Sequence, residues 1–146
     1  MTEIELRFTD EELRSGGPRI QVALGPSAAE YELAELQGSP LPPPLKISAL
    51  IDTGASITVI NPKLAETRKL QQTGSVQLSA AGNQGKYPVY VASLSFPGQE
   101  LRSFEIIQVV GCQLPQQPIS CLIGRDVLRR WLLTYNGRSA TIKISD

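Results

Sequence analysis

The chain has 146 residues, of which 41% are hydrophobic, and its 14 basic and 14 acidic residues give a formal net charge of zero. This length suits one domain with a core of its own. The charge balance argues against nucleic acid as a partner, because phosphate binding needs a basic surface. No apolar run reaches the roughly 20 residues of a membrane span, and the first residues lack the basic and apolar regions of a signal peptide. These features predict a cytoplasmic protein with no membrane partner.

The chain contains no histidine and only two cysteines, Cys112 and Cys121. Without histidine, Ser-His-Asp and Cys-His mechanisms lack their general base. Two cysteines cannot fill a tetrahedral zinc site within one chain or build a disulfide framework. Acid–base chemistry near neutral pH is therefore left to perturbed carboxylates, lysine, cysteine or tyrosine.

The charge is unevenly distributed along the chain. Residues 1–40 hold eight acidic and three basic side chains, a net charge of −5, so the remaining residues carry +5. A solvated N-terminal face explains this asymmetry, and an acidic segment that packs on or regulates a basic body is the alternative.

The first sixty residues are predicted to form mainly short strands. Alternation of apolar and polar residues predicts strands over residues 4–8, 19–24 and 30–36. Thr9 with Glu12 three residues later fits the capping box of one helical turn. Residues 38–44 form a proline-rich loop that cannot join a sheet interior. Further strands are predicted over residues 45–51 and 57–60.

The rest of the chain continues this pattern. Asn61 and Pro62 indicate the start of a short helix that ends near Thr67. A long hairpin follows, with strands over residues 75–80 and 87–96 and a glycine-bearing tip. Then come strands over residues 105–110 and 119–123, a helix over 125–131, and a terminal hairpin of residues 132–135 and 139–144. Many short strands with few short helices predict an all-β domain, either a barrel or a sandwich.

One short motif combines the features of a catalytic acid. Asp52 follows the apolar end of the strand predicted over residues 45–51, and Gly54, two residues later, permits a tight turn and close backbone approach. If Asp52 stood beside a symmetry mate, the two carboxyl groups would share one proton. One carboxylate could then take a proton from water while the acid polarises a carbonyl oxygen. Taken alone, Asp-Thr-Gly is also a common turn tripeptide.

Two features elsewhere in the sequence favour the catalytic interpretation. The hairpin tipped by Gly82 and Gly85 could close over a substrate and exclude water. Gly124 lies between a predicted buried strand and a predicted helix, where close packing against the loop of Asp52 is possible.

The two motifs together resemble those of the retropepsin-type aspartic proteases, which include retroviral proteases and the protease domain of eukaryotic DNA-damage-inducible proteins. Residues 49–56 read Ala-Leu-Ile-Asp-Thr-Gly-Ala-Ser, and residues 121–128 read Cys-Leu-Ile-Gly-Arg-Asp-Val-Leu. The resemblance covers roughly residues 18–144. It implies an all-β, retropepsin-like closed barrel with one short C-terminal helix. It also implies a homodimeric aspartic endopeptidase that hydrolyses peptide or protein substrates without a cofactor.

The resemblance assigns a role to each matching residue. Asp52 matches the catalytic aspartate, Thr53 the residue that braces the dyad across the dimer, and Gly54 the residue whose backbone faces the shared water. Substrate contacts are implied for Ala55, Ser56, Ala81, Gly82, Asn83, Gln84 and Gly85. A structural role is implied for Leu122, Ile123, Gly124, Arg125 and Asp126. Ser56 stands where many viral enzymes carry an aspartate, which leaves the partner of Arg125 open, and the flap tip is more polar than in viral enzymes.

The chain contains one Asp-Thr-Gly, so symmetry must supply the other half of a dyad. The terminal hairpin, with alternating Ala140, Ile142 and Ile144, is predicted to form the dimer interface, although it could instead complete the barrel. Residues 18–146 are predicted to form the protease domain. Residues 1–17 form an N-terminal extension that would shield an edge strand or tune activity.

Two other functions remain open at this point. A non-catalytic retropepsin-fold module, which only binds or dimerises, is favoured by the altered flap and disfavoured by the intact motif. Phosphoryl transfer at Asp52 would resemble the Asp-Lys-Thr-Gly pumps, but the lysine is missing and the pattern of elements is not α/β.

Overall fold

A computed structural model describes residues 2–80, 83–114 and 119–146. The strands in these ranges are β1 (Glu3–Arg7), β2 (Arg19–Gly25), β3 (Leu45–Ile51), β4 (Val59–Ile60), β5 (Gln71–Ala80), β6 (Asn83–Ser95), β7 (Phe104–Gly111), β8 (Cys121–Ile123), β9 (Leu132–Asn136) and β10 (Thr141–Ser145). The helices are α1 (Asp10–Gly16), α2 (Ala28–Gln37), α3 (Pro62–Thr67) and α4 (Arg125–Leu128). The prediction of a mainly β fold is confirmed.

The larger sheet closes on itself. Its strand order is β2-β3-β8-β4-β7-β6-β5, and an additional pairing of β2 with β6 closes the first six of these strands into a ring. β5 pairs only with β6 within the described residues and extends from the ring as one arm of the long hairpin. The fold therefore has the closed ring of strands that the retropepsin resemblance implies.

The second sheet joins the two ends of the chain. Its order is β1-β10-β9, with antiparallel pairing throughout. Thr9 caps α1 through the predicted capping box, with its side chain accepting from the Glu12 amide, and Leu13 of α1 is buried in the core. Residues 3–16 thus pack on the body of the protein, and β1 covers one edge of β10.

One apolar core connects the two sheets. Ile123 of β8 and Val109 of β7 are fully buried in it, and so are Ile142 and Ile144 of β10. The prediction that Ala140, Ile142 and Ile144 face a second copy is therefore wrong, because these side chains fill the core of their own protomer. The alternative was that the hairpin completes the barrel. β9 and β10 instead form the smaller sheet with β1, outside the closed ring, and β10 contributes side chains to the shared core.

Residues 28–37 form helix α2 rather than the strand predicted over residues 30–36. Ser27 caps the helix, its hydroxyl accepting from the Glu30 amide, and Gly38 ends it in the left-handed conformation with φ of 66°. The residues between these caps include alanine, glutamate and leucine, which favour helices. The alternation of apolar and acidic residues was a weaker signal than the two caps.

Other elements differ in length from their predictions. The strand predicted over residues 57–60 is limited to β4, and the helix predicted over residues 125–131 ends as α4 at Leu128. The helix capped by Asn61, with Pro62 in its first turn, ends at Thr67 as predicted. In the described ranges, none of the helices combines the length and the apolar character that a membrane crossing would need.

Candidate active site

Two strands of the ring bring the two sequence motifs together. β3 and β8 pair in parallel, with Ile51 opposite Ile123, so Asp52 and Gly124 leave neighbouring strands at the same edge. The Asp52 amide donates to the Ile123 carbonyl at 2.9 Å and extends this pairing by one step. The ends of two paired strands therefore fix the backbone of Asp52.

The loop after Asp52 turns back onto its carboxylate. The Gly54 amide donates to Asp52 Oδ1 at 2.8 Å, and the Ala55 amide donates to the Asp52 carbonyl at 3.2 Å. A Cβ at Gly54 would lie 3.1 Å from Oδ1, so the absence of a side chain allows this close approach. Asp52 is partly exposed, while Thr53 and Gly54 are exposed. The carboxylate is thus oriented by its own loop and remains open to solvent.

Arg125, the first residue of α4, also binds the loop that follows Asp52. Its Nη1 donates to the Thr53 carbonyl at 2.7 Å, and its amide donates to the Ala55 carbonyl at 2.8 Å. The sequence left the partner of Arg125 open, and in the structure the guanidinium contacts the backbone of the loop. Arg125 thereby connects the second motif directly to the first.

A buried polar network supports the loop where β4 begins. The Thr58 side chain is fully buried, and its Oγ1 donates to Asp126 Oδ1 at 2.8 Å while its amide donates to Oδ2 at 3.0 Å. The Gly124 amide in turn donates to Thr58 Oγ1 at 3.2 Å. These bonds satisfy polar groups that would be costly to bury alone.

The backbone of Ile57 leaves no room for a side chain at Gly124. A Cβ there would lie 2.6 Å from the carbonyl carbon and oxygen of Ile57. The backbone of the second motif thus packs directly against the chain that leaves the loop of Asp52.

A pocket of about 350 Å³ opens at Asp52. Its lining is mainly apolar, and Asp52 is the acidic group in the described part of this lining. Besides Asp52, Gly54, Ala55 and Ser56, it is lined by Ile57, Val59, Leu78, Ser79, Cys112, Gln113, Leu114 and Leu122. A carboxylate at the edge of an apolar pocket can exchange protons with a polar bond of a bound molecule. The pocket itself would hold the apolar groups next to that bond.

The structure brings only part of the predicted substrate-binding set to this pocket. Ala55 and Ser56 line it, whereas Gln84 and Gly85 lie on β6 and do not contribute to the described lining. Asn83 begins β6, and the predicted contacts of Ala81 and Gly82 lie outside the described residues.

Several pocket residues were not predicted from the sequence. Leu78 and Ser79 come from β5, and residues 112–114 come from the chain that follows β7. The sequence carried no local signal for residues 112–114, which come close to Asp52 because β7 and β4 pair in parallel. Thr58 was also missed, although a polar residue within the apolar run of residues 57–60 was a possible sign of a buried hydrogen bond.

The two cysteines are free thiols with different surroundings. Cys121 is fully buried, and burial raises the pKa of its thiol to about 12. A thiol with this pKa is protonated at neutral pH and is a poor nucleophile. Cys112 is partly exposed and lines the pocket.

Comparison with known proteins agrees with this geometry. A family model described as aspartyl protease matches residues 35–127, which is more than half of the chain. No curated protein sequence matches the chain significantly.

The solved structures that are similar to the chain include a retropepsin-like protease and a retroviral protease-like domain. The crystal structure of a retropepsin-like aspartic protease from Rickettsia conorii matches with a TM-score of 0.54 and 15% identity, over 98% of this chain and 90% of that one. The retroviral protease-like domain of Ddi1 from Leishmania major matches with a TM-score of 0.45 and 19% identity, over 70% of this chain and 81% of that one. At 15% identity, the likeness to the Rickettsia protein concerns the fold. With the family model covering both Asp52 and Gly124, the chain belongs to the aspartyl protease family.

Proposed function

We propose that the protein is an aspartic endopeptidase whose active site contains Asp52 from each of two identical subunits. The observation that carries this proposal is the position of the Asp52 carboxylate, held by the Gly54 amide at the mouth of an apolar pocket. Membership of the aspartyl protease family supports the same chemistry.

In the proposed reaction, water adds to the carbonyl carbon of a peptide bond. One Asp52 carboxylate takes a proton from the water, and the protonated Asp52 of the partner donates to the carbonyl oxygen. The tetrahedral intermediate then collapses, the C–N bond breaks, and the amine leaves with a proton returned by the dyad. The two carboxyl groups act as one unit that holds a single proton, because like charges in contact cannot both ionise.

The dimer would form where the structure leaves a strand edge free. β9 is at the end of the smaller sheet in the described chain, and its Leu132 and Tyr135 are 67% and 56% exposed. An exposed edge with apolar side chains favours pairing with another strand. The proposed interface is therefore the β9 side of the terminal hairpin rather than the buried face of β10. Thr53, exposed in the single protomer, would reach the partner's loop.

The substrate would bind as an extended strand between the loop of Asp52 and the long hairpin. Apolar residues of the pocket, such as Leu78 and Leu122, favour an apolar side chain next to the scissile bond. The proposed substrate contacts remain Ala55, Ser56, Ala81, Gly82, Asn83, Gln84 and Gly85.

The test is Asp52→Asn, a nearly isosteric change that removes the general base. We expect it to abolish cleavage of a peptide library across pH 4–7 while the melting temperature and oligomeric state stay unchanged. Asp10→Asn, at the exposed start of α1, is the matched control and should retain full activity.

Two results would contradict the proposal. One is cleavage by Asp52→Asn at the wild-type rate. The other is a wild-type protein that binds a peptide-like transition-state analogue but cleaves no member of the library, which would indicate a non-catalytic binding module.

A further inference from the structure

An open groove of about 790 Å³ lies beside the candidate active site. One wall is formed by α3 and the residues around it, from Asn61 to Leu70, and Tyr90 of β6 contributes an aromatic ring. This ring lies against Gly111, where a Cβ would be only 2.9 Å from Tyr90 Cε2. Tyr90 and Leu70 thus contribute apolar side chains to a lining that is otherwise mostly polar.

Gln113 connects the groove to the pocket at Asp52, because it lines both. The Cys112 amide donates to the Ile60 carbonyl at 3.0 Å, which ties the chain after β7 to the end of β4 just before α3 begins. Cys112 and Gln113 thus lie on the boundary between the groove and the pocket at Asp52. An extended peptide that leaves the pocket past Gln113 would run into the groove.

The charged residues of the groove are mostly basic. Lys63 and Lys69 stand at the two ends of the α3 wall, both exposed, and Glu66 lies between them. Two cations against one carboxylate leave the described lining with a net positive charge. Neither lysine takes part in an ion pair within the described residues. Residues 41–146, which include the groove, carry a net charge of +5.

We propose that this groove is an exosite that binds acidic residues of the peptide substrate, at a distance from the scissile bond. The inference rests on the proposed function and adds a substrate preference to it. Lys63 and Lys69 would pair with the substrate carboxylates while Tyr90 and Leu70 contact its aliphatic portions. Two exposed ion pairs correspond to about a three- to tenfold gain in kcat/KM, and added salt would reduce it because exposed charges are screened.

The experiment compares pairs of peptides built on one cleaved core sequence. Each pair carries either aspartate and glutamate or asparagine and glutamine beyond the core, placed on the N-terminal or the C-terminal side. For one of the two sides, the wild-type protein should show a three- to tenfold higher kcat/KM for the acidic peptide. The double variant Lys63→Glu/Lys69→Glu should bring this ratio to one or below.

The matched control is Lys46→Glu/Arg138→Glu, which reverses two exposed charges outside the groove and should keep the wild-type ratio. Cleavage of both peptides at equal rates on either side would overturn the exosite and leave the proposed function intact. The same loss of preference in the control variant would also overturn it, because general charge would then be the cause. If the wild-type protein cleaves neither peptide, the proposed function fails and the exosite fails with it.

Discussion

Gly124 illustrates how one residue sets the distance between the two motifs. Its φ of −91° is available to any residue, so conformation does not require glycine there. Space does, because a Cβ would lie 2.6 Å from the Ile57 backbone. The Gly124 amide also donates to the buried Thr58 hydroxyl. Separating the Gly124 backbone from residues 57–58 would therefore break a hydrogen bond as well as the packing.

We expect Gly124→Ala to lower the free energy of unfolding by about 3 kcal/mol, because backbone atoms must move to relieve the clash. Gly74→Ala is the control, since a Cβ at Gly74 meets nothing within 4 Å, and its effect should stay within about 0.5 kcal/mol. Urea denaturation of both variants measures the difference. Equal free energies of unfolding for the two variants would show that the protein accommodates a Cβ next to Ile57 without loss of stability.

At the same scale, the sequence pointed to Asp52, Gly124 and their neighbours along the chain, but not to pocket residues from distant segments. Asp-Thr-Gly alone is a common turn tripeptide, and Asp52 stood out only because an apolar strand precedes it and Leu122-Ile123-Gly124 follows farther along the chain. Leu78 and Leu114 could not be assigned to the pocket, since their contact with it depends on strand pairing between distant parts of the chain. Pairing of this kind leaves little trace in a single sequence.

Among the elements, the two helices of the N-terminal region differ in how they attach to the body. α1 buries Leu13, which is 4% exposed, whereas α2 leaves Leu36 86% exposed. α2 also shows the limit of sequence patterns, because residues 30–36 alternate like a strand while Ser27 and Gly38 cap a helix. Over this short segment the two caps predicted the helix correctly, whereas the alternation of apolar and acidic residues did not correspond to a buried and an exposed face.

Leu13→Ala should destabilise the protein by about 2–5 kcal/mol, the usual cost of a cavity in a packed core. Leu36→Ala makes the same chemical change at an exposed position and should cost less than about 0.5 kcal/mol. Thermal or urea unfolding of both variants checks this. A small effect of Leu13→Ala would mean that α1 is only loosely attached to the core.

The end of β10 is held by an ion pair. Asp146 has a side chain that is 1% exposed; its Oδ1 accepts from Arg102 Nη2 at 2.9 Å and from Nε, and its Oδ2 accepts from the Arg102 amide at 2.8 Å. Burial opposes ionisation of this carboxyl group, but the bonds from Arg102 outweigh it and lower the pKa of Asp146. A lowered pKa in the folded state stabilises the protein above the unfolded pKa, near 3.9.

Asp146→Asn should therefore reduce the free energy of unfolding at pH 7 by about 1 kcal/mol, a modest value because Arg102 is largely exposed. As the pH falls below about 4, the Asp146 carboxyl takes up a proton first in the unfolded chain and then, at its lowered pKa, in the folded protein, so the difference between the two proteins should shrink. Unfolding measured at pH 7 and pH 3 tests this sign. If the stability difference between the two proteins were larger at pH 3 than at pH 7, the charge of Asp146 would not be its cause.

For the whole molecule, one chain supplies one Asp52 and half of the proposed dyad. Both candidate elements of self-association, the β9 edge and the exposed Thr53, lie on the surface of the single protomer. Self-association would cover both and would bring two carboxylates together. Activity should consequently depend on protein concentration, falling on dilution below the dimer dissociation constant.

Mixing subunits separates a shared active site from two independent ones. When wild-type protein and Asp52→Asn are combined in equal amounts and allowed to exchange, only about a quarter of the dimers carry two wild-type subunits, because random pairing follows the square of the wild-type fraction. Activity should fall to about one quarter of that of the same total amount of wild-type protein. Independent active sites would instead retain one half.

The control for this measurement mixes wild-type protein with Asp10→Asn, which should keep full activity at every ratio. Mixing without time for exchange should also give one half, since the wild-type dimers are then still intact. A residual activity of one half after complete exchange, verified with differently tagged subunits, would mean that each protomer works alone. The dyad across the dimer would then be wrong even if Asp52 is catalytic.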